Sequence, residues 1–345
     1  METPPQEQPL QEEVIPLCIN CKVNPIDESS PSPLCLSCRQ HFINFPIPHW
    51  VKGFGVGVMV LVLIGLIGFP RQISIGIQMK RADDAIAEKK YLTAERALNK
   101  ILTSAPELKN AKLKMVVASY YTMDLHTLVN AIDGLKGISF ENNAEFKMSR
   151  DLASEAQNFF PSDSLFQLMK QTPAPPDIQS QFRSYIIRHP DEVFGTSAYI
   201  NQYYEKESPG WCDSMVYQML NANPTYLNGI MAGIYVARMQ HKYDTAINYC
   251  RQLLTMNAEC VYAIAAEARI AMAMGNFPEG IGLAKKALVL DSTDGYSTAT
   301  LVLGYHLNHQ FDKRDQLMAN KASDSAFSEY MIYVKEIMDG KTKFN

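Results

Sequence analysis

GNFPEGIGLAKKALVLD, residues 275–291, places an aromatic at Phe277, a small residue three positions on at Gly280, and the pair Ala287-Leu288 ten and eleven positions on. The same pattern recurs outward at a period of thirty-four residues. The turn position is filled by Pro209, Tyr243, Phe277 and Phe311, and the small position by Cys212, Ala246, Gly280 and Arg314. The later apolar pair reads Met219-Leu220, Leu253-Leu254, Ala287-Leu288 and Lys321-Ala322. A fixed period of this length implies one helical hairpin built repeatedly and stacked on itself. The small residue lets two helices approach, while the aromatic fills the wedge between one pair and the next.

This stretch, with HKYDTAINYCRQLLTMN before it, resembles the second helix of a tetratricopeptide repeat. Pro190 and Pro224, also thirty-four apart, sit where that family often ends a helix. A weaker echo joins Tyr91, Ala94, Leu98, Ile101 and Pro106 to Leu125, Leu128, Ile132 and Leu135. Units are expected at 75–108, 109–142, 159–192, 193–226, 227–260, 261–294 and 295–328, with an irregular helix near 145–158 where the phase slips by sixteen residues. As domains these are repeats over 75–142, an irregular helical segment over 143–192, repeats over 193–328, and a capping helix and tail over 329–345, the helix itself expected from Asp324 to Met338. Arg314 and Lys321 break the pattern where a last repeat faces solvent. The proline-rich turn KQTPAPPD, residues 170–177, reads as a hinge.

The resemblance implies an all-α solenoid whose concave face holds a protein or peptide. Groove candidates on the first helix of each pair are Asn228, Tyr235, Arg238, Glu267, Tyr296 and Tyr305.

Composition agrees with a folded body: of 345 residues, 47% are hydrophobic and 20% charged. Residues 1–50 hold six acids against Lys22 and Arg39, which accounts for the whole net charge of −4. The rest is balanced, with no basic footprint for a nucleic acid, so none is expected as a partner. Residues 1–16, METPPQEQPLQEEVIP, read as a disordered acidic tail. Next to the repeats, VKGFGVGVMVLVLIGLIGF (residues 51–69) carries a single charge, Lys52. At about 1.5 Å per residue it spans roughly 28 Å, enough to cross a bilayer once. Trp50 stands where an interfacial anchor would, and Pro70-Arg71 reads as the closing breaker and cation, giving a transmembrane helix over 50–70. Gly53 and Gly57 form a GxxxG through which two spans could associate as a homodimer.

Before the span, Cys18-Ile-Asn-Cys21 and Cys35-Leu-Ser-Cys38 are separated by thirteen residues. Two CxxC turns brought together supply the four thiolates of a closed, structural Zn2+ site. Leu17, Ile19, Leu34, Leu36 and Phe42 bury too little to fold residues 17–45 alone, so the metal must supply the folding energy. The pattern over residues 17–41 resembles zinc-ribbon and B-box-type fingers, with His41 and His49 outside the ligand set. With few basic residues near it, a protein is the better partner for the finger.

The sequence shows no nucleophile turn, phosphate loop or metal-ligand helix, and an enzyme is not expected. Cys212, Cys250 and Cys260 stand singly, and His306 and His309 lack metal-spaced company. Two orientation signals conflict. Arg71, Lys80 and Arg81 outnumber Arg39 and Lys52, which favours the repeats inside. Reduced thiols favour the finger in the cytoplasm and the repeats outside, and we weight them more heavily because oxidation would destroy the finger. The expected function is a membrane-anchored scaffold or adaptor. The alternative is a transmembrane signalling regulator in which repeat occupancy is reported through span association to the finger.

Overall fold

A computed structural model describes residues 15–43, 47–139, 144–171 and 176–344, and it divides into two compact units, 1–72 and 73–345. The expected acidic tail, up to residue 14, and the core of the expected hinge, residues 172–175, lie outside the described residues. Among the described residues there is no strand; one isolated β-bridge pairs Leu17 with Pro25.

In the first unit α1 (Leu36–Ile43) follows the second cysteine pair, and α2 (His49–Ala87) begins just before the apolar run. Pro70 was expected to close that helix. It does not: α2 continues through it to Ala87. Proline removes one backbone donor, about 3 kcal/mol in a helix interior. The cost is local, and the helix continues on both sides of it. The best eighteen-residue window of α2 has a mean hydropathy of 2.3 with none of it buried, so the helix is long and apolar enough to cross a membrane.

The second unit is a succession of helix pairs. The end of α2 pairs with α3 (Tyr91–Ser104), and α4 (Lys109–Thr122) with α5 (Leu125–Asp133). The sixteen-residue phase slip is filled by α6 (Ala144–Glu155) and a 3-10 turn over Ala156–Phe159, and α7 (Asp163–Met169) and α8 (Ile178–Arg188) lie in the stretch 159–192. Regular pairing resumes with α9 (Val193–Tyr203) and α10 (Pro209–Ala222), α11 (Leu227–Met239) and α12 (Tyr243–Met256), α13 (Val261–Ala273) and α14 (Phe277–Leu290), and α15 (Gly295–Leu307) and α16 (Phe311–Asn320). The final helix is α17 (Ser325–Met338).

Pro209, Tyr243, Phe277 and Phe311 each open a second helix. The small position three residues on is fully covered at Cys212, Ala246 and Gly280, and the apolar position ten residues on at Met219, Leu253 and Ala287. In the last pair the pattern changes: α16 buries no residue, and Arg314 folds onto Phe311, 4.9 Å from its ring centroid.

The sharp turn inside five of the six pairs, all but α9–α10, has one recurrent backbone device. Lys89, Met123, His241, Gly275 and His309, each two residues before a second helix, adopt left-handed φ of 54° to 82°. In four of these turns the next amide reaches back to a carbonyl of the first helix at 2.8 Å: Lys90 to Ala85, Lys242 to Ala237, Asn276 to Ala271 and Gln310 to Tyr305. This Schellman closure satisfies carbonyls that the helix end would orphan. Gly275 alone adopts it without a Cβ, and a Cβ there would meet nothing within 4 Å. Gly275→Ala is therefore expected to cost about 1–2 kcal/mol purely through backbone conformation, read as a lowered melting temperature with unchanged far-ultraviolet circular dichroism.

The chain does not continue as one open stack. The N-terminal pairs lie along the edge made by the turns that follow α10, α12 and α14. Ala258 N donates to Lys89 O at 2.9 Å, and Lys89 Nζ to Thr255 O at 2.7 Å. Thr93 gives both its amide and its hydroxyl to the Glu259 carboxylate, at 2.8 and 2.7 Å. Asn257 Nδ2 donates to Tyr121 O at 3.0 Å, Tyr226 OH to Asn158 O at 2.9 Å, and the Arg96 guanidinium to Leu290 O. Buried Ala82, Tyr91, Val116, Phe159, Tyr226 and Ile270 belong to one continuous apolar core beneath this seam.

Candidate metal centre and binding groove

In the first unit the backbone shapes the cysteine cluster. Lys22, in the left-handed region at φ 56°, closes the first CxxC turn, with its amide on Cys18 O at 2.8 Å. Cys18 N donates to Asn24 O at 2.8 Å, and Ile19 N to Pro33 O at 3.2 Å, which ties the two halves together. Cys35 precedes α1 and Cys38 lies in its first turn, where Arg39 N bonds Cys35 O at 2.9 Å and Arg39 Nη1 reaches Asp27 Oδ2 at 3.3 Å.

The four sulfur atoms lie within 4.8 Å of one another, and all four cysteines are free. Tetrahedral Zn2+ with bonds of about 2.3 Å needs sulfur–sulfur edges of about 3.8 Å, whereas a disulfide needs about 2.05 Å. Cys21 and Cys35 are 3.7 Å apart, so the donor set fits a metal and not a bridge. Asn20 and Asn24 point amide groups at Cys38 and Cys35 sulfurs, at 3.4 and 3.9 Å, in the manner of hydrogen bonds that stabilise thiolates. The backbone amides of Cys21 and Cys35 hold the Cys18 thiol down to about 6. Although the Asn20 amide pulls it down, the Cys38 thiol is pushed up to about 11 by its neighbouring thiols and by burial. Four thiolates this close repel one another unless a cation lies among them. Around them Leu17, Ile19, Leu36 and Phe42 remain more than half exposed, so no apolar core holds this segment together. His41 and His49 are not in the cluster.

The second unit carries a groove on the first helices of its regular pairs. Two adjoining cavities of about 380 and 440 Å3 share Asn201, Tyr262, Tyr296 and Tyr330. Phe194, Asn228, Tyr262, Tyr296 and Tyr330 line the first, and they are spaced thirty-four residues apart. One side chain per repeat therefore forms a ladder. Tyr262 and Tyr296 stack at 5.2 Å between centroids, and Tyr330 of α17 meets Tyr296 edge-on at 5.6 Å. A second column, Asn201, Tyr235 and Arg269, runs beside it and lines the larger cavity. Burial pushes the Tyr235 hydroxyl up to about 12 and Tyr262 well above its ordinary range.

Of the residues singled out in the sequence, Asn228, Tyr235, Arg238 and Tyr296 are brought together here. Glu267 instead lines a separate cavity with Arg251, Asn276 and Glu279, where burial raises its carboxyl. Tyr305 is buried against Ile281, Ala284 and Leu301. Gly53 and Gly57 lie on α2 with nothing within 4 Å of an added Cβ. Tyr262, Arg269, Tyr330 and Tyr333 also line the groove and escaped the sequence reading. Their signal was present: Tyr262, Tyr296 and Tyr330 are the same repeat position in three successive units, and α17 supplies the last rung in the register of a further first helix.

No protein-family model matches the sequence, and no curated protein matches it. Among solved structures, the chain is similar to a tetratricopeptide repeat protein from Parabacteroides merdae ATCC 43184, with 12% identity and a TM-score of 0.41 over 77% of this chain and 98% of that one. It is similar to PilW, a type IV pilus biogenesis factor, with 14% identity and a TM-score of 0.29 over 76% and 99%. The tetratricopeptide domain of P58(IPK) gives 13% identity and a TM-score of 0.25 over 86% and 100%. The helices themselves establish the architecture: an all-α, tetratricopeptide-like array of stacked pairs.

Proposed function

We propose that this chain is a single-pass membrane-anchored scaffold: α2 crosses the bilayer, the repeats hold an extended segment of a partner protein in the tyrosine-lined groove, and a Zn2+-closed finger works on the other side. In this reading the finger is cytoplasmic and the repeats lie outside, which the need of a four-thiolate site for a reducing compartment supports. The chain's task in this reading is binding.

The tyrosine ladder carries the proposal. A rung on each of five successive inner helices gives a groove that accepts a chain running across several units, and tyrosine offers large contact area with little side-chain entropy to lose. Cysteine, serine or histidine constellations that could perform chemistry do not converge on it among the described residues lining the two cavities.

A photo-crosslinking residue placed at Tyr262 or Tyr296 in intact cells is expected to capture the same partner peptides. One placed at Val289, 84% exposed on α14, is expected to capture none of them. Tyr262→Ala combined with Tyr296→Ala should lower partner recovery from mild detergent by about tenfold or more, the effect of losing central aromatic anchors. Equal capture at 262 and 289 would remove the groove from the argument. Protease accessibility of the repeats in intact cells reads the orientation.

A further inference from the structure

The floor of the larger cavity is cationic, and its rim is anionic. Arg269 is only 6% exposed and Arg238 only 5%, both on inner helices of the groove. Arg269 Nε donates to Thr300 Oγ1 at 2.8 Å. Thr300 is itself anchored, because its hydroxyl donates to Tyr296 O at 2.7 Å. The guanidinium lies 4.1 Å from the Tyr296 ring centroid, so stacking and one hydrogen bond fix its plane. No carboxylate among the described residues lies within ion-pair distance of Arg269.

A guanidinium withdrawn from water without an anion is costly, and the burial is strong enough to lower its proton affinity. A carboxylate entering the cavity would offset that cost through charge-assisted bonds, which are about twice as strong as neutral ones. Around the mouth, Glu205, Glu329 and Glu336 are exposed and belong to no ion pair among the described residues. They disfavour a uniformly acidic ligand and favour cations on either side of the buried anion.

We infer that the groove reads a mixed-charge sequence: an extended partner segment inserts one aspartate or glutamate side chain onto Arg269, and lysine or arginine residues flanking it meet the glutamate rim. The inference rests on the groove reading above and adds the chemistry of its ligand. Arg269 fixes the position of the acid, the tyrosine ladder supplies stacking surface that is indifferent to sequence, and α17 completes the rim with Glu329 and Glu336.

A phage-displayed library of random dodecapeptides, selected against the full chain in lipid nanodiscs, tests it. The enriched peptides are expected to share one acidic residue with a basic residue within about three positions. In synthetic versions, glutamate-to-glutamine substitution should weaken binding about tenfold to a hundredfold by fluorescence anisotropy, the range for a hydrogen bond to a charged group. Arg269→Met should weaken the acidic peptide equally and leave the glutamine peptide unchanged. Were Arg269→Met to lose its circular dichroism melt, Thr300→Val, together with the peptide substitutions on the unaltered protein, carries the same test. Glu329→Lys with Glu336→Lys should turn selection away from flanking cations. Peptides that lose binding with the Tyr262→Ala, Tyr296→Ala pair yet carry no acid, or tolerate its amidation, overturn this inference and leave the groove standing. Enrichment that ignores the ladder altogether overturns both.

Discussion

Chelation of divalent metal is expected to unfold residues 17–43 while leaving the helical repeats intact. Cysteine sulfurs, with little covered apolar surface, hold that segment together. Only Cys18 and Cys35 are buried within it, and Leu17, Ile19, Leu36 and Phe42 face water. Structural Zn2+ sites of this donor type contribute about 10–16 kcal/mol to folding at neutral pH, far more than the side chains present can supply. Trypsin reads the transition, because Lys22 lies in the first turn and Arg39 is bonded to Asp27 in the second. With Zn2+ present, cleavage at both should slow by about a thousandfold or more, since fast-closing segments are cut in proportion to their open population. Cys18→Ser with Cys35→Ser should abolish that protection, and chelation should make all four thiols alkylate together. Protection that survives a chelator but yields to a reductant would mean disulfides in place of metal.

The largest single-residue effect in the repeats is expected at Gly280. A Cβ there would lie 2.5 Å from Met272 Cγ and 2.8 Å from the Ala268 carbonyl oxygen. Methionine can turn aside; a carbonyl inside α13 cannot. Gly280→Val therefore pushes α14 off α13 and should cost about 3 kcal/mol or more, the upper range of overpacking. At about 2–4 °C per kcal/mol for a domain of this size, the melting midpoint falls by roughly 6–12 °C. Two residues on, Gly282 is exposed on the same helix with nothing within 4 Å of an added Cβ. Gly282→Ala should gain about 0.5–1 kcal/mol from the reduced entropy of the unfolded chain and better helix propensity. Thermal melts of the two variants must move in opposite directions; a shared direction would mean that the α13–α14 contact does not set the small position.

These two glycines explain why so much of the repeat architecture was readable. One packing contact, copied every thirty-four residues, forces the same residue size at Cys212, Ala246 and Gly280, and the sequence displays it as a period. The cysteine cluster was readable for a related reason, since ligand spacing is local. Pro70 misled because its penalty, one lost backbone donor and a local clash, falls on a single turn, and the helix resumes beyond it. The seam between the N-terminal pairs and the later turns left no trace, because it uses backbone atoms of Lys89, Tyr121, Ala258 and Leu290 and isolated polar groups such as Glu259 and Thr93. Side-chain patterns do not report those. In the groove, residues chosen singly by chemical type captured Tyr296 but missed Tyr262 and Tyr330, whereas comparison of equivalent positions would have found all three.

Linear repeat proteins fray, shedding one unit at a time from a loose end because each touches only its neighbours. Here the seam joins Thr93 to Glu259 across 166 positions of sequence. The opening pair cannot peel away without stripping partners from the turns at 257–259 and 290, in the middle of the array. Tension arriving along α2 would thus be borne by several distant units at once, and the domain should resist pulling as a single cooperative body where an unlatched array would yield stepwise.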